Sequence, residues 1–277
     1  MTGPAGIEVV VVVIPVRNEE LLLPRCLNAL TAAIDALGAV PEPERPHVRV
    51  LLVLDHCTDQ SARVAARWST FRRHEIAAGA VGVARRDGIR RALRSGSRSR
   101  TGAVASAAQI WIATTDADSA VPPNWLVTQL ALARNGAELV LGTVQPDDDL
   151  AARELQRWEA LHTIGEGHPH IHGANLGVRA DRYLAAGGFA PVDRDEDVLL
   201  VSALRDLGVT EARTALIPVL TSGRRIGRTP AGFAGYLRDR VDADPLDAVS
   251  LDADPLDADP LDADPLYADP LDGEIAQ

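Results

Sequence analysis

The sequence predicts an α/β fold, an open and mostly parallel sheet flanked by helices, because two kinds of segment alternate along it. One kind is a short apolar run rich in β-branched residues, which is typical of a strand buried on both faces. These runs are residues 9–14, 48–54, 109–114 and 138–144, with a shorter one at 75–77. The other kind carries apolar residues at a helical period. These segments are residues 19–38, 58–68, 83–93, 122–134 and 198–207. Strands alternating with helices indicate a parallel sheet with helical crossovers.

Local signals mark where several of these elements end or begin. Pro15 ends the first strand, and Gly38 ends the first helix. Pro122 and Pro123 are expected in the first turn of the fourth helix, where a missing N–H costs little.

The net charge of -11 is concentrated at one end of the 277 residues. Residues 241–277, called here the DADPL segment after their five-residue repeat, hold eleven Asp, one Glu and no basic residue. The other 240 residues carry 27 acidic and 28 basic side chains. A proline in every repeat except residues 247–251 excludes a long helix, so the segment is predicted to be a disordered acidic tail. A calcium-binding repeat would use glycines that this repeat lacks.

Composition excludes several classes of protein. All 28 basic residues are arginine, which excludes lysine Schiff-base chemistry and a P-loop. Cys26 and Cys57 form no CxxC, so neither a disulfide framework nor a zinc knuckle is expected, and a reducing cytoplasmic location fits. The apolar run at 9–14 is too short for an integral membrane segment. Seven arginines between 85 and 100 lack the interleaved aromatics of a nucleic-acid site. They predict a solvated face or a peripheral contact with anionic lipid headgroups.

Polar clusters directly follow three of the predicted strands. They lie at residues 15–19, 55–59 and 115–119. Ligands of such sheets bind beyond the carboxyl ends of the strands, so the three clusters are expected to form one cleft.

The third cluster contains the acid pair Asp116 and Asp118. Residues i and i+2 at the end of a strand point the same way, so both carboxylates can face one cation. Their hard oxygen atoms suit Mg²⁺ or Mn²⁺ together with phosphate groups. The alternative is a solvated turn that happens to contain two aspartates.

Five motifs in order resemble the family 2 glycosyltransferases across roughly residues 8–225. They are IPVRNEE at 14–20, VLDHCTDQS at 53–61, DADS at 116–119, HGANLGVR at 172–179 and GGFAPVDRDEDVLL at 187–200. The resemblance implies a GT-A-type, Rossmann-like domain over residues 1–240, with a nucleotide-binding half (about 1–120) and an acceptor half (about 121–240). It implies a nucleoside diphosphate sugar donor, a hydroxyl acceptor, a divalent cation, and inversion at the anomeric carbon.

The resemblance also assigns roles to the residues of the first three motifs. It implies that Pro15 and Glu19 contact the nucleotide, that Asp55 receives the base, and that Asp116 and Asp118 hold metal and diphosphate. The family's frequent DDGSTD is LDHCTD here, which leaves the identity of the nucleotide open.

Arginines are the expected partners of the phosphates. Arg85 and Arg86 open a helix where the family often has a basic residue facing the donor phosphates, so either of them is a candidate. A loop with Arg224, Arg225 and Arg228 is a candidate to close over the diphosphate.

The late acid pair Glu196-Asp197 matches the family's catalytic acids, and Asp197 is the predicted base. An acceptor hydroxyl needs a base to remove its proton during attack. Carboxylates at a helix N-terminus are stabilised as anions, although that same position also suits simple helix-start charges.

The HGAN motif is predicted to lie beside the sugars. Gly173, Ala174 and Asn175 are expected to form a turn close to the donor or acceptor sugar. His172 is a candidate ligand of the metal or phosphates, whereas His168 and His170 are expected to be solvated.

Three other readings compete with a transferase. A sugar-phosphate nucleotidyltransferase would carry a Gly-rich loop and a lysine after the first strand, and a dinucleotide oxidoreductase would carry GxGxxG there; the chain has neither. A catalytically degenerate protein that only binds a nucleotide sugar or carbohydrate is disfavoured by the intact acids.

Overall fold

A computed structural model of the chain describes residues 6–224, apart from 95, 97, 100, 151, 163, 164 and 193. The DADPL segment and the arginines at 225 and 228 lie outside the described residues.

The strands and helices of this part of the chain alternate as far as the fourth strand, which is followed directly by the fifth. In order they are β1 (Val9–Val16), α1 (Leu23–Ala36), β2 (His47–Asp55), α2 (Ser61–Ala65), β3 (Arg72–Ile76), α3 (Val81–Arg94), β4 (Ile110–Thr114), β5 (Ser119–Ala120), α4 (Trp125–Arg134), β6 (Leu139–Pro146), α5 (Ala152–Leu161), β7 (Leu176–Arg179), α6 (Ala180–Ala185), α7 (Glu196–Asp206) and β8 (Glu211–Thr221).

The strands of the described residues form one sheet in the order β3-β2-β1-β4-β7-β6-β8-β5. Neighbours pair in parallel from β3 to β4 and again between β6 and β8. β7 runs antiparallel to both β4 and β6, and the short β5 runs antiparallel to β8. The predicted open, mixed and mostly parallel sheet is confirmed.

The core lies on both faces of this sheet, which explains the valine run of β1. Residues 9–14 have no exposed surface at all. Even-numbered side chains of β1 pack with α1 and α4, and odd-numbered ones pack with α3 and α7. A strand with apolar layers on both sides needs no polar alternation.

Helix boundaries differ from the predicted ones where the first turn is irregular. α1 begins at Leu23 rather than at residue 19, because the Glu19 carbonyl accepts hydrogen bonds from the amides of Leu22 and Leu23 in a preceding turn. α4 begins at Trp125, so Pro122 and Pro123 precede the helix instead of lying in it.

The second half of the chain contains elements that the sequence did not predict. They are β5, β7, β8, α5 and α6. Among the described residues, no helix is both long and apolar enough to cross a membrane.

Gly88 lets α3 lie close against the sheet. A Cβ at this position would lie 2.6 Å from Val53 Cγ2 and 2.7 Å from Val13 Cγ1. Both contacts are branched side chains with no exposed surface, in the centre of β1 and β2.

We expect Gly88→Ala to destabilise the protein although alanine favours helix. The gain in helix propensity is about 1 kcal/mol, whereas overpacking a core costs about 1–3 kcal/mol. Urea unfolding should therefore show a net loss of up to about 2 kcal/mol. Gly38→Ala is the control, because a Cβ there meets nothing within 4 Å. An unchanged or raised midpoint for Gly88→Ala would show that the helix can move away from the sheet.

Candidate active site

The candidate site lies at the carboxyl ends of the central strands, as predicted. The register places Val13 of β1 beside Leu51 of β2 and Thr114 of β4, so these three strands end at the same edge. Pro15 and Asp55 are at or near the ends of β1 and β2, and the DxD motif follows β4.

Arg85 of α3 connects the DxD motif to the acid pair at the start of α7. Its guanidinium donates from Nη2 to Asp116 Oδ1 and from Nη1 to Glu196 Oε1, and it lies over the ring of Phe189 at 5.6 Å. The arginine side chain is 3% exposed and that of Glu196 is 7% exposed. Buried charges persist when they are paired and hydrogen-bonded, and here each guanidinium amino group meets a different carboxylate. Arg85 therefore fixes the distance between the two acidic motifs.

Asp197 lies next to this pair and faces the HGAN motif. Its Oδ2 accepts a hydrogen bond from the Gly173 amide at 2.6 Å, and its Oδ1 accepts one from the Val198 amide at 2.9 Å. Burial raises the pKa of Asp197, and the charge of Arg85 and the two amides act against this. Burial likewise raises the pKa of Glu196, against the effect of Arg85. Both groups hold a proton more strongly than an exposed acid does.

Gly173 is required by the close approach of Arg85. A Cβ at Gly173 would lie 2.5 Å from Arg85 Nη1 and 2.7 Å from its Cζ. The absence of a side chain lets the arginine pass beneath the short 3-10 turn Gly173–Asn175, whose first amide reaches Asp197.

The other residues of this turn point into the protein. Asn175 is 1% exposed; its Nδ2 donates to the carbonyls of Thr143 and Ile217, and its Oδ1 accepts from Trp125 Nε1. Ala174 is also buried. The side chain of Asn175 therefore anchors the turn to the protein interior. Of the three residues predicted to contact a sugar, Gly173 is the one whose backbone amide bonds to Asp197.

Asp118, the second DxD acid, pairs with Arg224 rather than with Arg85. Arg224 Nη2 lies 2.9 Å from Asp118 Oδ2 and 2.5 Å from Glu19 Oε1, and its Nη1 donates to Glu19 Oε2 at 2.7 Å. Burial and the nearby Asp116 carboxylate raise the pKa of Asp118 to about 6, although Arg224 acts against them. Glu19, predicted to contact the nucleotide, is thus joined to the metal-site candidate by one arginine.

The carboxylate of Asp55 organises the loop between β3 and α3. Oδ1 accepts hydrogen bonds from the amides of Ala78 and Gly79 at 2.8 and 3.0 Å, and Oδ2 accepts from Gly79 at 2.9 Å. Arg17 Nη1 donates to the Gly79 carbonyl at 2.8 Å. The acid that the family pattern assigns to the nucleotide base therefore also shapes the loop that leads into α3.

The family model described as Glycosyl transferase family 2 matches residues 11–172, more than half of the chain. The chain belongs to this family. Curated protein sequences give no significant match.

Two solved structures illustrate the fold of this family 2 glycosyltransferase. S. aureus TarS 1-349 in complex with UDP-GlcNAc has a TM-score of 0.55 at 13% identity, over 81% of this chain and 61% of that 1-349 chain. The mannosyltransferase PcManGT from Pyrobaculum calidifontis, in complex with GDP-Man and Mn2+, has a TM-score of 0.55 at 16% identity, over 82% of this chain and 61% of that one. The chain thus spans about three-fifths of the length of these two solved chains, and the predicted GT-A-type fold is confirmed.

The DxD acids of this glycosyltransferase fit a divalent cation. The side chains of Asp116 and Asp118 are 35% and 20% exposed, so both are accessible from the cleft. Burial, and after it the neighbouring Asp116 carboxylate, raise the pKa of Asp118, and a cation between the two acids would favour their ionised forms. Two protein carboxylates plus phosphate oxygens is a usual ligand set for Mg²⁺ in nucleotide sites.

The histidines lie in a row leading to this site. The ring of His162 stacks on Trp158 at 4.2 Å, and the rings of His170 and His172 are 5.9 Å apart. His168 is 1% exposed, so the prediction that it is solvated is wrong; its Nε2 lies 3.2 Å from the Leu141 carbonyl. Burial and the neighbouring histidines lower the pKa of His172 to about 3.

His172, a predicted metal ligand, is therefore neutral at ordinary pH, as a ligating imidazole must be. Across the described ranges, however, no group of three or more His, Cys, Asp or Glu side chains is arranged to hold a metal.

Arg25 is a site residue that the sequence analysis missed. Its Nη2 donates to the Asp118 carbonyl at 2.8 Å, and its Nη1 lies 2.5 Å from Asp147 Oδ2. It occupies an ordinary helical position in α1, so only the tertiary structure shows its contact with the DxD backbone.

Backbone strain also marks the cleft. Three non-glycine residues of the described part have positive φ: Asn18 at 55°, His56 at 49° and Asp195 at 56°. Two follow β1 and β2, and the third immediately precedes α7. Left-handed residues cost energy and cluster at functional sites, so the strained positions agree with the site's location.

We expect Asp118→Asn to stabilise the metal-free protein at pH 7. The pKa of Asp118 is raised from 3.8 to about 6 in the folded protein, because the ionised form is disfavoured there. The protein therefore loses stability as the pH rises through that interval. Each tenfold change in proton affinity is worth about 1.4 kcal/mol, so the gain is about 1–3 kcal/mol after loss of the Arg224 contact.

The measurement is urea unfolding in EDTA at pH 7 and below pH 4, where the gain should vanish. The exposed Asp148→Asn is the control and should change little at either pH. A loss of stability at pH 7 would mean that the Arg224 pair outweighs the cost of burial.

Proposed function

We propose that this glycosyltransferase transfers a sugar from a nucleoside diphosphate sugar to an acceptor hydroxyl, with inversion at the anomeric carbon. One observation carries the proposal: Arg85 ties the DxD acid Asp116 to the acid pair Glu196-Asp197. A diphosphate site and a base are thereby held in one cleft, which this reaction requires.

Asp197 is the proposed catalytic base. Its carboxylate is anchored by the amides of Gly173 and Val198, so it does not need to reorganise as the proton is transferred. Burial raises the pKa of Asp197, which makes it a stronger base than an exposed aspartate. Asp197 would take the proton of the acceptor hydroxyl as the oxygen attacks the anomeric carbon from the face opposite the leaving diphosphate.

Asp116 and Asp118 are the proposed holders of Mg²⁺ or Mn²⁺, with His172 as a candidate third ligand. A cation bound there would stabilise the charge that develops on the departing nucleoside diphosphate. That PcManGT was crystallised with Mn2+ supports a divalent cation in this fold.

Arg224 is the proposed counter-charge of Asp118 and Glu19, with which it pairs. Binding of a cation would release its guanidinium for the diphosphate, which suits the planar fork of an arginine.

The nucleotide is proposed to lie along the strand ends, contacting Pro15, Glu19 and Asp55, with Arg85 and Asp116 toward the phosphates. The sugars would lie at the Gly173–Asn175 turn. TarS 1-349 and PcManGT have been solved in complex with UDP-GlcNAc and GDP-Man, respectively, which supports a nucleotide sugar as donor. We propose a cytoplasmic enzyme, acting without nucleic acid, with an acceptor that is soluble or presented at a membrane surface.

Donor binding is expected to require a divalent cation and Asp118. Thermal unfolding against UDP, GDP, TDP and their sugars, with and without Mn²⁺, should show one nucleotide that stabilises only with metal. A ligand at about 100 times its dissociation constant adds about 2.7 kcal/mol. Asp118→Asn should remove this shift, and the exposed Asp148→Asn should keep it. If no nucleotide stabilises the protein, the diphosphate site is refuted. If binding occurs without turnover of any sugar, the protein is a degenerate binder.

Turnover is expected to depend on Asp197 far more than donor binding does. Asp197→Asn keeps only one of the two amide hydrogen bonds, because its Nδ2 cannot accept, and it removes the base. The kcat should therefore fall about 10²–10⁴-fold while the donor dissociation constant changes little. Release of nucleoside diphosphate measures the first quantity, and the thermal shift measures the second. Asp195→Asn is the matched control, since asparagine also tolerates its positive φ. Equal losses in both variants would disprove a specific role as base.

A further inference from the structure

A second candidate binding surface lies on the outer side of α3, away from the catalytic acids. A groove of about 400 Å³ opens between α3 and α6. Arg86, Arg90 and Arg94 line one side, and apolar side chains that include Leu93 and Leu184 line the rest. None of the catalytic candidates borders it, so the proposed sugar transfer does not explain it.

The three arginines form a continuous cationic row. They are spaced four residues apart on one helix, which places them along one face over about 12 Å. All three are exposed, and within the described ranges no carboxylate lies at ion-pair distance from any of them. An unneutralised row of this kind attracts an anionic partner that carries several charges.

The groove also has an apolar component. Leu184 is 55% exposed, Leu93 is partly exposed, and Tyr183 is buried at the base, where its hydroxyl accepts the Phe189 amide at 3.2 Å. The complementary ligand is therefore an extended chain in which carboxylates alternate with aliphatic side chains. Nucleic acid is a poor match, because no exposed aromatic side chain lines the groove for stacking.

We propose that the DADPL segment of this same chain, residues 241–277, docks in the groove, with its aspartates on the arginines and its leucines on the apolar side chains.

The composition of the segment matches the groove. It provides eleven aspartates, one glutamate and no basic residue, with a leucine in each repeat between the acidic positions. The prolines of the repeats favour an extended backbone, which keeps carboxylates and leucines accessible along its length. Its charge opposes that of the arginine row, whereas an anionic bilayer would repel the same segment.

The attachment point makes the contact intramolecular. Arg224, the last described residue, pairs with Asp118, and Arg85 of α3 pairs with Asp116 two positions earlier. The last described residue is therefore connected to α3 through the DxD motif, by one ion pair on each of its two aspartates. Sixteen residues separate Arg224 from residue 241 and span up to about 50 Å when extended, so the segment can reach the groove. A tether of this length provides an effective concentration of about 1 mM.

The test uses the full chain with a fluorophore on Ala263→Cys in a Cys57→Ser background, since the remaining Cys26 is buried. At about 10 mM salt, where the Debye length is about 30 Å, docking should give the label the slow anisotropy of the folded domain. At about 1 M salt, where it is about 3 Å, the anisotropy should fall to that of a free segment. The release point is the salt concentration at which the anisotropy has fallen halfway. Arg90→Gln/Arg94→Gln should lower this concentration by about twofold or more, because salt screens a weakened polyvalent contact more readily.

Arg63→Gln/Arg67→Gln is the matched control, because it removes the same charge from another pair of exposed arginines spaced by four residues. It should leave the release point unchanged. An equal effect of both pairs, or none of the groove pair, overturns the proposal. The proposal is also overturned if the anisotropy is low in every variant and the protein binds phosphatidylglycerol vesicles only when Arg90 and Arg94 are present. The groove would then be a membrane-binding surface. No nucleotide is present, so these outcomes are independent of the proposed transfer reaction.

Discussion

The arrangement of the cleft depends on one buried guanidinium. Arg85 is held between Asp116 from the end of β4 and Glu196 from the start of α7, two carboxylates 80 residues apart in sequence and of like charge. Without the arginine, both acids and Asp197 would repel one another in a partly dehydrated site. Removing one partner from a buried ion network costs about 3–5 kcal/mol, since the remaining charges are left without compensation. The site is therefore assembled by an interaction that also stabilises the fold.

The surrounding structure is built to hold that guanidinium in place. Gly88 lets α3 approach β1 and β2, so Arg85 reaches the strand ends. Phe189 covers one face of the guanidinium, and Gly173 leaves room on another side. Asn175 bonds to two strands and to α4, which keeps the turn above the arginine rigid. These contacts come from every part of the sheet, so the geometry of the acids is a property of the whole fold.

Much of the first half of the fold was predictable from the sequence, because its signals are local. The valine run of β1 and the acid pair after β4 were both recognisable from neighbouring residues alone. The second half was less predictable, since β7 and β8 are short or irregular and acquire their apolar partners only through long-range pairing. Arg25 and the pairing of Arg224 with Glu19 were invisible for the same reason. Asn175 was predicted to contact a sugar because its chemistry suits a hydroxyl, yet burial directs the same amide toward backbone carbonyls.

The lack of a side chain at Gly173 has a consequence for how this chain can change during evolution. Any residue larger than glycine there would displace the guanidinium of Arg85, and a shorter residue at position 85 would strand the acids it joins. A substitution at either position alone would disturb the site, so we expect the two residues to be retained or lost together. A descendant that has lost the pair would need a different counter-charge at this edge of the sheet to hold Asp116 and Glu196 together.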